Sequence, residues 1–214
     1  MSGNTDKNKR KDKNKRKDKN KRKDKNKNVK IYINDQLDEL DLESALPLLS
    51  AQRREQVLKF KFEAGRKQSA AAYRLLQTAL QQEYGITAAP VFQYEAGGKP
   101  YLADHPDIYF NLSHCKEAAV CAVSDAPIGI DVEGIRRYEL SLVRYTMSDE
   151  EVDIITRSAD PPRTFIRYWT MKEALVKLTG KGICTDLKRL LPSPDILLET
   201  TECDSYIYTV ATYR

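Results

Sequence analysis

A chain of 214 residues with 41% hydrophobic content is long enough to bury one sizeable core or two small packed halves. Its net charge of +5 is unevenly spread, because residues 1–30 hold fifteen basic and four acidic side chains while the rest hold 21 basic and 27 acidic. No apolar run nears the ~18 residues of a membrane span; two histidines and four cysteines without a Cys-x-x-Cys pair argue against a zinc site and for reduced thiols.

The chain opens on a repeat of Asp-Lys-Asn-Lys-Arg-Lys from Asp6 to Lys23, with a degenerate fourth copy to Asn28. A period of six matches neither helix nor strand, and like charges this dense repel one another, so residues 1–28 are expected to be a disordered tail. Its one functional reading is non-specific electrostatic contact with nucleic acid or another acidic partner; the plainer one is a solvated low-complexity extension. It has neither the apolar core of a signal peptide nor the acid-free pattern of a transit peptide, which points to the cytoplasm.

Residues 29–33 alternate as a first strand. Residues 41–50 form a short helix or turn cut by Pro47, and residues 52–62 a basic helix. A stronger helix over 66–84 follows, with Ala72, Leu75, Leu76, Ala79 and Leu80 at helical spacing and Gly85 to stop it. Residues 91–94 and 99–102 flank Gly97-Gly98 as a hairpin, and 109–113, 118–124 and 128–133 read as three short strands. Ser148 and Glu151 form a capping box for a helix to about residue 158. Pro162 opens a long helix to 179, closed by Gly180 and Gly182, and strands near 196–199 and 206–212 end the chain. Each part runs strand, helices, strands. The expectation is α+β: two similar halves, 29–124 and 125–214, with a site at their junction.

The chemistry concentrates in two segments. In a strand Asp131 and Glu133 point to the same side, opposite to Ile128, Ile130 and Val132, so the acids should leave the core at a strand end. In a helix Glu173 and Lys177 lie one above the other. Where strand and helix meet, three carboxylates and a lysine can converge, a set suited to a hard divalent cation beside a phosphate-bearing substrate. The bland alternatives are a solvated strand end and a surface Glu–Lys pair. His114 can be a satisfied, partly buried histidine or, as His⁺, a phosphate ligand next to Ser113. A Ser113–His114 nucleophile pair is disfavoured, because strand neighbours face opposite ways.

Four segments together, Gly98-Lys99-Pro100, Phe110-Asn111-Leu112-Ser113-His114, Pro127-Ile128-Gly129-Ile130-Asp131-Val132-Glu133 and Trp169-Thr170-Met171-Lys172-Glu173-Ala174-Leu175-Val176-Lys177, the last followed by Gly180-Lys181-Gly182, carry a resemblance. In order and spacing they resemble the motifs of the 4′-phosphopantetheinyl transferases of the surfactin-synthetase-activating type, over about residues 29–214. The resemblance implies a pseudo-two-fold pair of α+β halves with coenzyme A in the cleft. It implies transfer of the phosphopantetheine arm to a serine of an apo acyl or peptidyl carrier protein, with release of 3′,5′-ADP, by a cytoplasmic monomer. It further implies Mg²⁺ on Asp131, Glu133 and Glu173, with Glu173 doubling as base or replaced by a water or Glu133 relay. Lys177 would serve the departing phosphate, Lys172 the pyrophosphate, Ser113 and His114 the 3′-phosphate, and Lys99 the adenine end. In the first basic helix Arg53 and Ser69 fit the family's 3′-phosphate pattern, whereas Gln56 and Gln68 stand where basic residues are common and Arg66 or Lys67 could substitute. Surfaces around 134–160 would select the carrier. The rival readings are a Mg²⁺-dependent phosphodiesterase or nuclease, and a nucleic-acid-associated protein bound through the tail.

Overall fold

The computed structural model describes residues 28–180, 182, 186–190 and 192–214; the basic repeat up to residue 27, Lys181 and Cys184 lie outside the described residues. The first half runs β1 (Lys30–Asn34), α1 (Leu42–Ala45), α2 (Ala51–Leu58), α3 (Glu63–Tyr84), β2 (Phe92–Tyr94), β3 (Pro100–Leu102), β4 (Tyr109–His114) and β5 (Ala119–Ser124). The second runs β6 (Ile128–Gly134), α4 (Leu140–Thr146), α5 (Asp149–Arg157), α6 (Pro161–Thr179), a 3₁₀ turn at Leu187–Arg189, β7 (Ile196–Glu202) and β8 (Tyr206–Tyr213). The mixed α+β architecture is as expected.

Local chemistry sets the boundaries. Ser50 caps α2 by accepting from the Arg53 N–H, and the Ser148–Glu151 capping box opens α5 as its spacing predicts. Helix α2 stops at Leu58, short of the expected 62, because Lys59 and Phe60 tighten into bonds to Gln56 and Val57 and Phe62 is extended. Helix α3 therefore starts at Glu63, three residues earlier than the periodicity indicates. Helix α4 was not foreseen: it buries only Val143 and Thr146, too few positions to print a helical period.

Two antiparallel three-stranded sheets, β1-β5-β4 and β6-β8-β7, repeat one plan: the last strand of each half inserts beside the first. A long helix covers one face of each sheet, α3 on the first and α6 on the second. Tyr73, Leu76 and Leu80 of α3 pack on Phe110, Cys121 and Val123. The opposite face of β5, with Val120 and Ala122, packs on Ile128, Ile130 and Val132 of β6 and Val210 of β8. The two sheets thus join back to back, through the helix-free faces of β5 and β6.

The expectation that the odd-numbered side of β6 leaves the core is corrected here. Helix α6 lies on that side, so Asp131 is only 4% exposed. A Cβ on Gly129 would sit 2.1 Å from the Ala174 carbonyl oxygen, so only glycine admits α6 this close to the strand.

The seam between the sheets is made by side chains. Asn111 Oδ1 accepts from the Ile130 N–H at 2.8 Å, and Ser113 Oγ from the Val132 N–H at 3.3 Å. Strands β4 and β6 therefore run alongside in the same direction, bridged at every second residue.

Candidate active site

The close approach of α6 at Gly129 carries Lys177 over Asp131, two residues further along the strand. Lys177 Nζ stands 2.7 Å from Asp131 Oδ1 and donates to Ser113 Oγ at 2.9 Å. Ser113 Oγ in turn donates to Asp131 Oδ1 at 2.9 Å. With the Val132 N–H, the hydroxyl of Ser113 has used its one donor and both acceptor positions. It braces Asp131, so that in this arrangement the hydroxyl is fully engaged within the protein, where a contact with the 3′-phosphate was expected.

Asp131 Oδ2 is buried with no hydrogen-bond partner among the described residues. Burial pushes the Glu133 carboxyl up to about 6, reinforced by the charge of Asp131, and raises that of Glu173 for the same two reasons in the same order. Arg136, 3.5 Å from Glu133, and Lys177 act against the rise at Glu133. Carboxylates that burden one another, one with an orphaned oxygen, are a donor set that a hard cation would relieve. Among the described residues no three Asp, Glu, His or Cys side chains form a ready-made metal cage. Mg²⁺ does not require one, since it binds through one or two carboxylates plus water and substrate phosphates.

Glu173 lines two cavities. One, of about 460 Å³, is bounded also by Arg53, Tyr94, Gly98, Lys99, His114 and Lys177. The other, of about 900 Å³, is bounded by Asp131, Glu133, Tyr145, Trp169, Asp186 and Lys188. The first is rich in cations and the second in carboxylates, and Glu173 stands at their border.

Arg53 is held at the first cavity by Ser69, whose carbonyl and Oγ accept from Nη2 at 3.1 and 2.9 Å, and by Gln56, whose Oε1 accepts from Nη1 at 3.3 Å. Its Nε is buried and unpartnered among the described residues, and burial lowers its pKa. A desolvated guanidinium with a spare donor and no acidic neighbour is an anion site in waiting. His114 shares the cavity, but burial, helped by Arg53 and Lys177, lowers its pKa to about 4. With the protein's own groups alone around it, this favours the neutral imidazole over the expected His⁺.

Other expected site residues point elsewhere. Lys99 lines the first cavity with its stem, while its ammonium donates to the carbonyls of Ile128 and Leu178, both at 3.1 Å, and ties the β2–β3 hairpin to the end of α6. Lys172 is turned away from both cavities, into Glu151 at 2.8 Å and the Leu187 carbonyl at 2.6 Å. The offered substitutes also fail to reach: Arg66 donates to the Phe60 carbonyl and Lys67 to that of Asp38. Asn111, which holds the seam and lines the first cavity, was missed. Its spacing of two from Ser113 was the available sign.

The sequence also matches known proteins. Residues 37–126 match the family model described as the N-terminal part of 4′-phosphopantetheinyl transferase, and residues 127–204 that of the 4′-phosphopantetheinyl transferase superfamily. The chain is 32% identical to the 4′-phosphopantetheinyl transferase psf-1 of Bacillus pumilus, over 71% of this chain and 66% of that protein. It is 27% identical to the 4′-phosphopantetheinyl transferase Sfp of Bacillus subtilis strain 168, over 86% of this chain and 85% of that one. To HetI of Nostoc, a 4′-phosphopantetheinyl transferase, it is 34% identical over 68% of this chain and 65% of the relative. The matched stretches thus span just under two thirds of two of these relatives. With both halves matched in order and the two motif segments meeting in one cleft, the chain belongs to the 4′-phosphopantetheinyl transferase superfamily.

Proposed function

We propose that this protein transfers the 4′-phosphopantetheine arm of coenzyme A to a serine of an apo acyl or peptidyl carrier protein, releasing 3′,5′-ADP. The supporting observation is the pair of cavities that meet at Glu173, one bordered by a guanidinium with no ion-pair partner among the described residues and the other by a carboxylate with an unpaired oxygen. A phosphate-rich nucleotide suits the first, and an acceptor hydroxyl with a divalent cation suits the second.

Arg53, steadied by Ser69 and Gln56, would take a terminal phosphate, with His114 and the stem of Lys99 forming the wall against the nucleoside. Asp131 and Glu133, with Glu173 beside them, would hold Mg²⁺, which when bound neutralises charge on the phosphoanhydride. Lys177 has two of its three donors on Asp131 and Ser113, and the third is available to an oxygen of the leaving phosphate. Glu173, its carboxyl raised by burial, suits proton uptake from the serine hydroxyl, a contribution of about 10²–10⁴-fold. Free thiols at Cys115, Cys121 and Cys203 suit the reducing cytoplasm, which is the proposed location. No helix among the described residues is long and apolar enough to cross a membrane.

The test is a mass spectrum of an apo carrier protein after incubation with this chain, coenzyme A and Mg²⁺, with and without EDTA. A metal-dependent gain of one phosphopantetheine arm supports the reading. Cleavage of coenzyme A without transfer would instead favour a phosphodiesterase, and no reaction with several apo carriers would overturn the reading.

A further inference from the structure

The lysine that precedes Glu173 holds together a buried cluster with no part in the chemistry above. Lys172 Nζ lies 2.8 Å from Glu151 Oε2 and donates to the Leu187 carbonyl at 2.6 Å, and its side chain is 5% exposed. The same Glu151 oxygen accepts the Ser148 N–H at 2.8 Å. One ammonium therefore joins three elements: helix α6, the start of α5 and the 3₁₀ turn at Leu187–Arg189.

One end of this clamp, Leu187, lines the acidic cavity, and the other lies just behind it. Leu187 and its neighbours Asp186 and Lys188 form one wall, and Thr146, two residues before Ser148, lies on another. None of these residues borders the cavity that contains Arg53 and His114. A buried ion pair is a costly way to gain stability, because desolvation cancels most of the attraction and an apolar trio of similar volume would serve as well. What it supplies is direction: a carbonyl and a carboxylate are held at fixed distances from one cation.

We propose that Lys172 is a positioning residue that sets the spacing of the acidic cavity's walls and thereby governs acceptance of the carrier protein, leaving coenzyme A binding untouched. This rests on the transferase reading. It follows that loss of the clamp separates the two substrates kinetically, whereas a residue that bound pyrophosphate would impair both.

The experiment compares wild type with Lys172→Met and Lys172→Arg, measuring kcat and KM for an apo carrier and for coenzyme A separately. Lys172→Met is expected to lower kcat/KM for the carrier by roughly tenfold to a hundredfold, the scale of a misplacement of about 1 Å. KM for coenzyme A and the rise in Tm on adding it stay at wild-type values. Lys172→Arg, which keeps the charge, should recover part of the loss. An activity-free readout runs in parallel: Trp169, the sole tryptophan, lines this cavity, and its fluorescence should become more open to acrylamide in Lys172→Met. If that variant does not fold, Lys172→Arg and Glu151→Gln carry the same comparison. Equal losses toward both substrates, or carrier kinetics that do not change, would overturn the proposal. A folded wild type without transfer would defeat the transferase reading instead, and the clamp would then stand or fall on the quenching.

Discussion

Replacing Ser113 by alanine separates a brace from a ligand. The hydroxyl satisfies three groups at once: the buried Val132 N–H and Asp131 Oδ1, and the partly exposed Lys177 ammonium. Ser113→Ala leaves the Val132 N–H buried without an acceptor, a cost of about 1–3 kcal/mol, and strips one charge-assisted bond from Asp131, a further ~1.5 kcal/mol or more. Lys177 still holds Asp131 Oδ1, so the carboxylate is not abandoned. The sum is near 3 kcal/mol, which for a domain of this size lowers Tm by about 10 °C. The assay is urea unfolding and thermal melting of both forms, together with calorimetric titration of coenzyme A. The brace predicts a large stability loss with coenzyme A affinity reduced less than about threefold. A Tm within about 2 °C of wild type, with much weaker coenzyme A binding, would refute the reasoning and return Ser113 to the phosphate.

Further expectations concern the same cleft. Gly129→Ala places a methyl against the Ala174 carbonyl and should cost about 3 kcal/mol or more, read as a lowered urea midpoint; an unchanged midpoint would mean α6 is not seated as described. His114 has a folded pKa near 4 against 6.5 unfolded, so the unfolded chain takes up its proton first as pH falls. Its contribution, at most about 3 kcal/mol, is therefore present above pH ~6.5 and lost as pH falls toward 4; His114→Gln should flatten the stability profile in that window, and an unaltered slope would count against it. If Mg²⁺ binds as proposed it should raise the Tm of the wild type, since a cation bound only by the folded state stabilises it, and Asp131→Asn should abolish that rise; an equal rise in both forms would refute the assignment. Lys177→Ala should reduce turnover more than it weakens coenzyme A binding, and the reverse order in single-turnover kinetics would make it a binding residue.

Much of this fold could be read from periodicity, because its elements carry complete local signals. Helix α3 has five apolar residues at helical spacing and a glycine stop, and α5 has both halves of its capping box. The meeting of Asp131 with Lys177 was likewise readable, since each lies on a regular element whose repeat fixes its direction. What escaped depends on contacts far apart in sequence. Alternation in β6 says that Asp131 faces away from Ile130, but not that α6 covers that face. A lysine next to a catalytic-type glutamate gives no sign that its chain will turn toward Glu151, 21 positions earlier. Lys99 and Ser113 look like ligands by position, yet Lys99 spends two of its three donors and Ser113 its whole hydroxyl on groups in the other half of the molecule. Polar residues in this cleft do their work across the junction, which no local pattern records.

The side-chain seam between β4 and β6 has a consequence for association with other chains. Each strand is the edge of its own sheet, and a bare edge invites pairing with any extended segment. By turning the two edges toward one another and occupying the Ile130 and Val132 N–H groups with Asn111 and Ser113, the molecule uses each edge to shield the other. Of the two three-stranded sheets, β1 and β7 remain as outer edges, the first starting on Lys30 and the second carrying Glu199 and Glu202, charges of the kind that discourage a further strand from docking. A variant that opened the seam would thus expose two sticky edges at once, and its first symptom would be aggregation rather than slow catalysis.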